Sequence, residues 1–116
     1  MLIQVDPIQP EHWLLHRAVS MLRDGAIGVI PTDTVYALAV SIYHKDAIRR
    51  IYSLKNLDEK KPLSIIVSDF AQAARFTRGI PNQAFKVLKR ALPGPYTFIF
   101  DASKEIPKLM LRDNRR

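Results

Sequence analysis

The segment Ile27-Gly-Val-Ile-Pro-Thr-Asp-Thr-Val-Tyr-Ala-Leu38 constrains this chain most, because a short apolar run closes on proline and passes straight into hydroxyl and carboxylate side chains. A continuous apolar run bounded by a breaker reads as a buried strand. The first strong strand is therefore predicted over Ala26 to Ile30 and the second over Ala37 to Ile42, with a Thr-Asp-Thr turn between them. Thr32, Asp33, Thr34 and Tyr36 then fall at the carboxyl end of a strand, where open α/β sheets bind ligands. The same residues also serve an ordinary turn, since Asp and Thr side chains satisfy local backbone groups. Taken alone, the segment favours that plainer reading.

Around it, helical and strand periodicities alternate. Pro10 to Arg23 carries Leu14, Leu15, Ala18, Val19 and Leu22 as a stripe at spacings of three and four, with Gly25 at the expected stop, so a first helix should pack on the sheet. Lys45 to Leu54 places Ala47, Ile48, Ile51 and Tyr52 on one face and predicts a second helix. Leu63 to Val67 is another continuous apolar strand, and Ser68 or Asp69 is suited to cap a short helix through Phe76. A further helix, from about Asn82 to Leu92, buries Phe85, Leu88 and Leu92 before Pro93-Gly94-Pro95 ends it, and Tyr96 to Phe100 is the next strand. Ile106, Leu109 and Leu111 lie in a short helical piece of the tail. This alternation makes the class α/β, in a single domain over residues 1–116.

Composition narrows the partners. With 116 residues and 47% hydrophobic content, the chain can bury a core without metal or disulfides. Absence of cysteine removes thiol catalysis and thiolate metal sites. No apolar run approaches membrane-spanning length and the N-terminus lacks the order of a secretory signal, so a soluble, cytoplasmic protein is expected. A net charge of +7 attracts polyanions such as nucleotides, RNA and pyrophosphate, although Arg112, Arg115 and Arg116 alone supply three of those charges.

Three blocks, Pro31-Thr-Asp-Thr-Val-Tyr36, Lys55 with Lys61-Pro-Leu-Ser64, and Pro93-Gly-Pro-Tyr-Thr97, occur in the order and approximate spacing of the YrdC-like family. From about Arg23 onward the chain resembles a threonylcarbamoyl-adenylate synthase domain. The resemblance implies a twisted mixed sheet flanked by helices, with a concave basic cavity. It also implies that the domain continues past Arg116 with another strand and a Ser-x-Asn motif closing the nucleotide pocket. The chain is thus expected to be the N-terminal part of a longer domain, with its sheet incomplete at the C-terminus; the alternative is a truncated gene product whose unfinished sheet edge would be prone to pairing with another chain.

The implied reaction is a nucleotidyl transfer joining L-threonine, bicarbonate and ATP into threonylcarbamoyl-adenylate and pyrophosphate, for modification of a transfer RNA adenosine. It needs no protein nucleophile, only positioning and stabilisation of charge on phosphate oxygens. By resemblance, Thr32, Thr34 and Tyr36 hold threonine and its carbamate, Asp33 braces the turn, and Lys55, the lysine of the family's Lys-x-Arg motif, pairs with carbamate or nucleotide as the catalytic cation. Lys61 and Ser64 sit on the nucleotide side, Ser64 donating to a phosphate or bonding within the sheet. Mg²⁺ is expected to arrive with ATP, and no protein metal site is expected. The alternative is a module that binds double-stranded RNA or transfer RNA through phosphate contacts without catalysis.

Two substitutions depart from the pattern. The motif arginine falls on Leu57, which removes a two-pronged, charge-assisted grip on phosphate or carboxylate, and Ala37 stands where glycine commonly follows Val-Tyr. With Lys104-Glu-Ile-Pro107, these resemble the YciO branch of the family rather than the branch with synthase activity. Lys60 and Lys61 either restore part of the charge or form a solvated loop.

Other constellations lead elsewhere. His12 and His16 are one helical turn apart, but Trp13 holds the place of a zinc protease's glutamate and no third ligand is evident. Gly25 and Gly28 make no dinucleotide fingerprint, and no Walker-type run exists. Tyr43, Tyr52, Phe70, Phe76 and Phe85 are spaced as core residues rather than as a base-stacking platform. For a full-length protein with this sequence, Leu57→Arg is expected to tighten ATP binding measured by calorimetry. Unchanged affinity would show that the register assigned around Lys55 is wrong.

Overall fold

The computed structural model describes residues 1–55 and 63–111. Along the chain run α1 (His12–Arg23), β1 (Gly28–Pro31), β2 (Tyr36–Ala39), α2 (Lys45–Leu54), α3 (Phe70–Phe76), α4 (Asn82–Ala91) and a 3₁₀ turn over Lys108–Met110. The class is α/β. Its ladder, among the described residues, is one antiparallel pair in which Gly28 faces Ala39 and Pro31 faces Tyr36.

The end of α1 decides where β1 begins. Gly25, at φ +100°, donates to the Leu22 carbonyl at 3.0 Å, and Ala26 donates to Met21 at 3.0 Å. These two bonds are a Schellman stop, which satisfies the last carbonyls of the helix and consumes Ala26 as a helix-terminating residue. The strand predicted from Ala26 therefore starts at Gly28. β2 begins at Tyr36, one residue before the predicted Ala37, and stops at Ala39 rather than Ile42, where its partner strand ends. At the other end of α1, Asp6 accepts from the amides of Ile8 and Gln9, and these bonds hold its carboxyl below the usual range. The helix then starts at His12, two residues after Pro10. No residue of α1 is fully buried, so the expected packing on the sheet is limited to a half-buried stripe.

α2 supplies most of the core. Ala47, Ile48, Ile51 and Tyr52 are buried on one face, joined by Phe76, Leu88 and Ile106. Full burial of a side chain such as Ile48 contributes about 1.5–3 kcal/mol relative to leaving it in water. The helix starts on His44, whose Nδ1 accepts from the Ala47 amide at 3.2 Å, and Arg49 pairs with Asp46 at 2.9 Å one turn along. α3 is capped by Asp69, which accepts from the Gln72 amide at 2.7 Å while the Gln72 side chain takes the Ser68 amide at 2.7 Å. The end of α3 is stitched to residues 101–105. Thr77 bridges Ala102 antiparallel, Arg78 donates to the Asp101 carbonyl at 3.0 Å, and the Ser103 amide donates to Phe76 at 3.0 Å.

Two predicted strands, Leu63 to Val67 and Tyr96 to Phe100, form no ladder with any described residue. Residues 63–67 and 97–100 keep the alternation of exposed and half-buried side chains, with Tyr96 exposed beside Thr97, because an apolar run encodes which face is apolar and not which strand lies alongside. Of the aromatic residues predicted as core, Tyr52 and Phe76 are buried, and Phe70 meets Phe85 edge to face at 5.3 Å. Tyr43 is a correction: it lies 67% exposed in the link to α2. The helical piece predicted in the tail is the single 3₁₀ turn, with Ile106 buried just before it.

Gly25 is buried, and a Cβ there would stand 2.5 Å from Nε2 of His44, the capping residue of α2. Gly25→Ala is expected to cost roughly 1–3 kcal/mol, from the left-handed backbone and the displaced imidazole together. Urea unfolding measures this, and an unchanged midpoint would show that the two elements do not meet as described.

Candidate functional site

The tight connection between β1 and β2 is organised by one hydroxyl. Thr32 Oγ1 accepts from the Thr34 amide at 3.3 Å and the Val35 amide at 3.1 Å, and donates to the Val35 carbonyl. A hydroxyl has one proton and two lone pairs, so the Thr32 side chain is committed to the turn. The bracing assigned to Asp33 is thus performed by Thr32, and the exposed Asp33 carboxylate makes no hydrogen bond among the described residues.

This leaves two hydroxyls of the predicted trio for a ligand. Thr34 Oγ1 has a single long contact, 3.4 Å to Thr32 Oγ1. Tyr36, opposite Pro31 in the ladder, is 74% exposed. The antiparallel register brings all three residues to one end of the hairpin.

Lys55 stands at the C-cap of α2, where its amide donates to the Ile51 carbonyl at 3.0 Å. Its exposed ammonium pairs with no described residue and carries positive charge at the negative end of the helix. Ser64 is exposed in the extended stretch after the undescribed segment, on the same face as Ile66 by the alternation of the chain. No hydrogen bond or ion pair joins Lys55 or Ser64 to the hairpin among the described residues. Lys61, and with it Lys60 and Leu57, lies outside the described residues.

Sequence reasoning did not anticipate a basic groove at the other end of α2. This space of about 610 Å³ is lined by Ile42, Tyr43, Lys45, Arg49 and residues 104–109, and by none of the predicted site residues. The signal was present as Lys45, Arg49, Lys104 and Lys108, but these are separated by more than fifty positions along the chain. His12 and His16 are both exposed on α1, and no group of three His, Asp or Glu side chains gathers to hold a metal among the described residues. No helix of the described residues is long and apolar enough to cross a membrane.

Comparison with known proteins supplies the context. The chain is 32% identical over 112 residues to the Escherichia coli protein YciO, itself uncharacterised, covering 97% of this chain and 54% of that relative. It is 39% identical over 95 residues to human threonylcarbamoyl-AMP synthase, covering 81% of this chain and 33% of that enzyme. The crystal structure of Pyrococcus abyssi Sua5 complexed with L-threonine superimposes with a TM-score of 0.82 at 30% identity, over 88% of this chain and 30% of that one. The chain spans about half the length of the YciO relatives it matches. Residues 20–116 match the family model Sua5_yciO_yrdC, described as telomere recombination, and the chain belongs to that family.

Proposed function

We infer that this chain carries the amino-acid half of a threonylcarbamoyl-AMP synthase-like site, with L-threonine, bicarbonate and ATP as substrates. The observation that carries the reading is the Thr32-braced hairpin with Thr34 and Tyr36 left unengaged, in a chain 30% identical to a protein solved with L-threonine.

In this reading the hydroxyls of Thr34 and Tyr36 orient L-threonine while its amine combines with bicarbonate, losing water, or with carbon dioxide, losing a proton, to give a carbamate. A carbamate oxygen then attacks the α-phosphorus of ATP, the bond to the bridging oxygen breaks, and pyrophosphate leaves. Lys55 offsets negative charge gathered on carbamate and phosphate, and Lys61 and Ser64 contact the nucleotide. Such positioning and electrostatic work need no covalent intermediate. Magnesium would be held by the triphosphate oxygens, since the described residues offer no carboxylate cage of their own. A transfer RNA adenosine is the expected acceptor of the threonylcarbamoyl group, with AMP as the leaving group.

A second reading rests on the +7 net charge, which favours phosphate contacts with structured RNA. Gel-shift affinity for a duplex RNA should then fall steeply with salt, and salt-independent binding would exclude it.

Amide NMR with L-threonine tests the first reading. Resonances of residues 32–36 are expected to move saturably, and hairpin amides that stay fixed would refute it. Thr34→Val should abolish that response with stability unchanged to within about 0.5 kcal/mol. Thr32→Val should instead lower stability by about 1–2 kcal/mol, because it strands the amides of Thr34 and Val35. Equal stability loss in both variants, read by thermal unfolding, would contradict the division of labour between the two hydroxyls.

A further inference from the structure

The groove at the start of α2 shares no residue with the hairpin, so the reaction proposed above leaves it unused. One wall is α2 itself, with Lys45 as its first residue and Arg49 one turn further along the same face. The other wall is the segment that carries Lys104 and Lys108, and it is fixed at several points. The Ser103 amide donates to the Phe76 carbonyl at 3.0 Å, and the Ser103 hydroxyl donates to the Arg75 carbonyl at 2.6 Å. The Glu105 amide then donates to the Ser103 hydroxyl at 3.2 Å, Ile106 is buried in the core, and the Met110 amide closes on the Pro107 carbonyl at 3.0 Å. Lys104 and Lys108 therefore flank a buried anchor and are presented by a braced backbone, not by a free tail.

The charge in this groove is unbalanced. Lys45, Lys104 and Lys108 make no ion pair among the described residues, while Arg49 pairs with Asp46 at 2.9 Å on the open surface. Glu105 is the acid on the lining, and its carboxylate lies 3.6 Å from Arg75, which is not on the lining, so its charge is partly offset from outside. The positive end of the α2 dipole adds to the same field. Like charges gathered on two facing walls repel one another, and a bound anion relieves that repulsion.

Charge alone does not describe the space. Ile42, Pro107 and Leu109 are half-buried on its lining, and Tyr43 adds an aromatic side chain that is 67% exposed. An apolar lining with an exposed ring suits a flat aromatic body, which stacks on tyrosine while anionic groups reach the lysines. The volume of about 610 Å³ falls within the range of about 300–1,000 Å³ typical of small-molecule sites. An inorganic anion would use the lysines and leave the ring idle, and the bases of a duplex are stacked on one another and closed to it. We propose that this groove is a second binding site, for a nucleoside diphosphate, with the base on the Tyr43 ring and the phosphates between Lys45 and the pair Lys104 and Lys108. The site is separate from the nucleotide contacts assigned to Lys55, Lys61 and Ser64, and does not depend on them.

Amide NMR of the full chain titrated with ADP tests this, with pyrophosphate and adenosine as parallel titrants. ADP is expected to move the resonances of residues 42–49 and 104–109 saturably. Pyrophosphate, which lacks the base, and adenosine, which lacks the phosphates, should each bind there about tenfold more weakly or worse. Lys104→Glu combined with Lys108→Glu should weaken ADP about tenfold or more, and Tyr43→Ala should bring ADP down to the affinity of pyrophosphate. All of these side chains are exposed, and an unchanged urea midpoint in each variant separates lost binding from lost folding. Four outcomes would overturn the proposal: no saturable movement of these amides; pyrophosphate binding as tightly as ADP; an affinity indifferent to the variants; or a duplex RNA that occupies the same amides more tightly than ADP. A failure of L-threonine to move residues 32–36 would bear on the hairpin alone, because the two sites share no residue.

Discussion

The approach of Gly25 to His44 couples the two halves of the N-terminal region, and the rest of the fold depends on it. Only a residue without a Cβ lets the stop of α1 come within reach of the imidazole, and that imidazole caps α2 through the Ala47 amide. α2 in turn presents four of the buried core residues and ends at Lys55. One close contact thus sets where β1 can begin, where α2 must begin and where the C-terminal cation of α2 is delivered.

The hairpin illustrates how three similar side chains acquire different duties. Thr32 and Thr34 are two residues apart and chemically identical, yet one oxygen is saturated by the turn and the other is nearly free. A saturated hydroxyl stabilises and shapes, whereas a free one on a rigid scaffold has bonding capacity left for a ligand. The brace thereby holds the backbone that carries Thr34 and Tyr36, the two residues to which the proposed function gives the substrate.

Much of this was legible locally. The spacing of Ala47, Ile48, Ile51 and Tyr52 specified both the existence and the bounds of α2, because a helical stripe needs no distant partner to be recognised. Ser68 or Asp69 announced α3 for the same reason, since a cap acts over three residues, and the structure selects Asp69. The hairpin residues were legible as a group, but not their separate roles, which depend on turn geometry finer than residue type. Tyr43 was misjudged because aromatic spacing cannot reveal that it lies on the open wall of a groove rather than in the core.

The amino-acid order by itself determined the four α-helices, the stop at Gly25, a cap at Ser68 or Asp69, the Thr-Asp-Thr turn and the family, all of which reside in contacts a few residues apart or in ordered motifs. Tertiary structure alone decided that Thr32 rather than Asp33 braces the turn and that Lys45 and Lys108 line one groove. It also decided that Ile66 and Ile99 stand exposed on extended stretches that form no ladder with any described residue. Pairing between strands is a long-range choice, and an apolar alternation reads the same whether its partner is present or not.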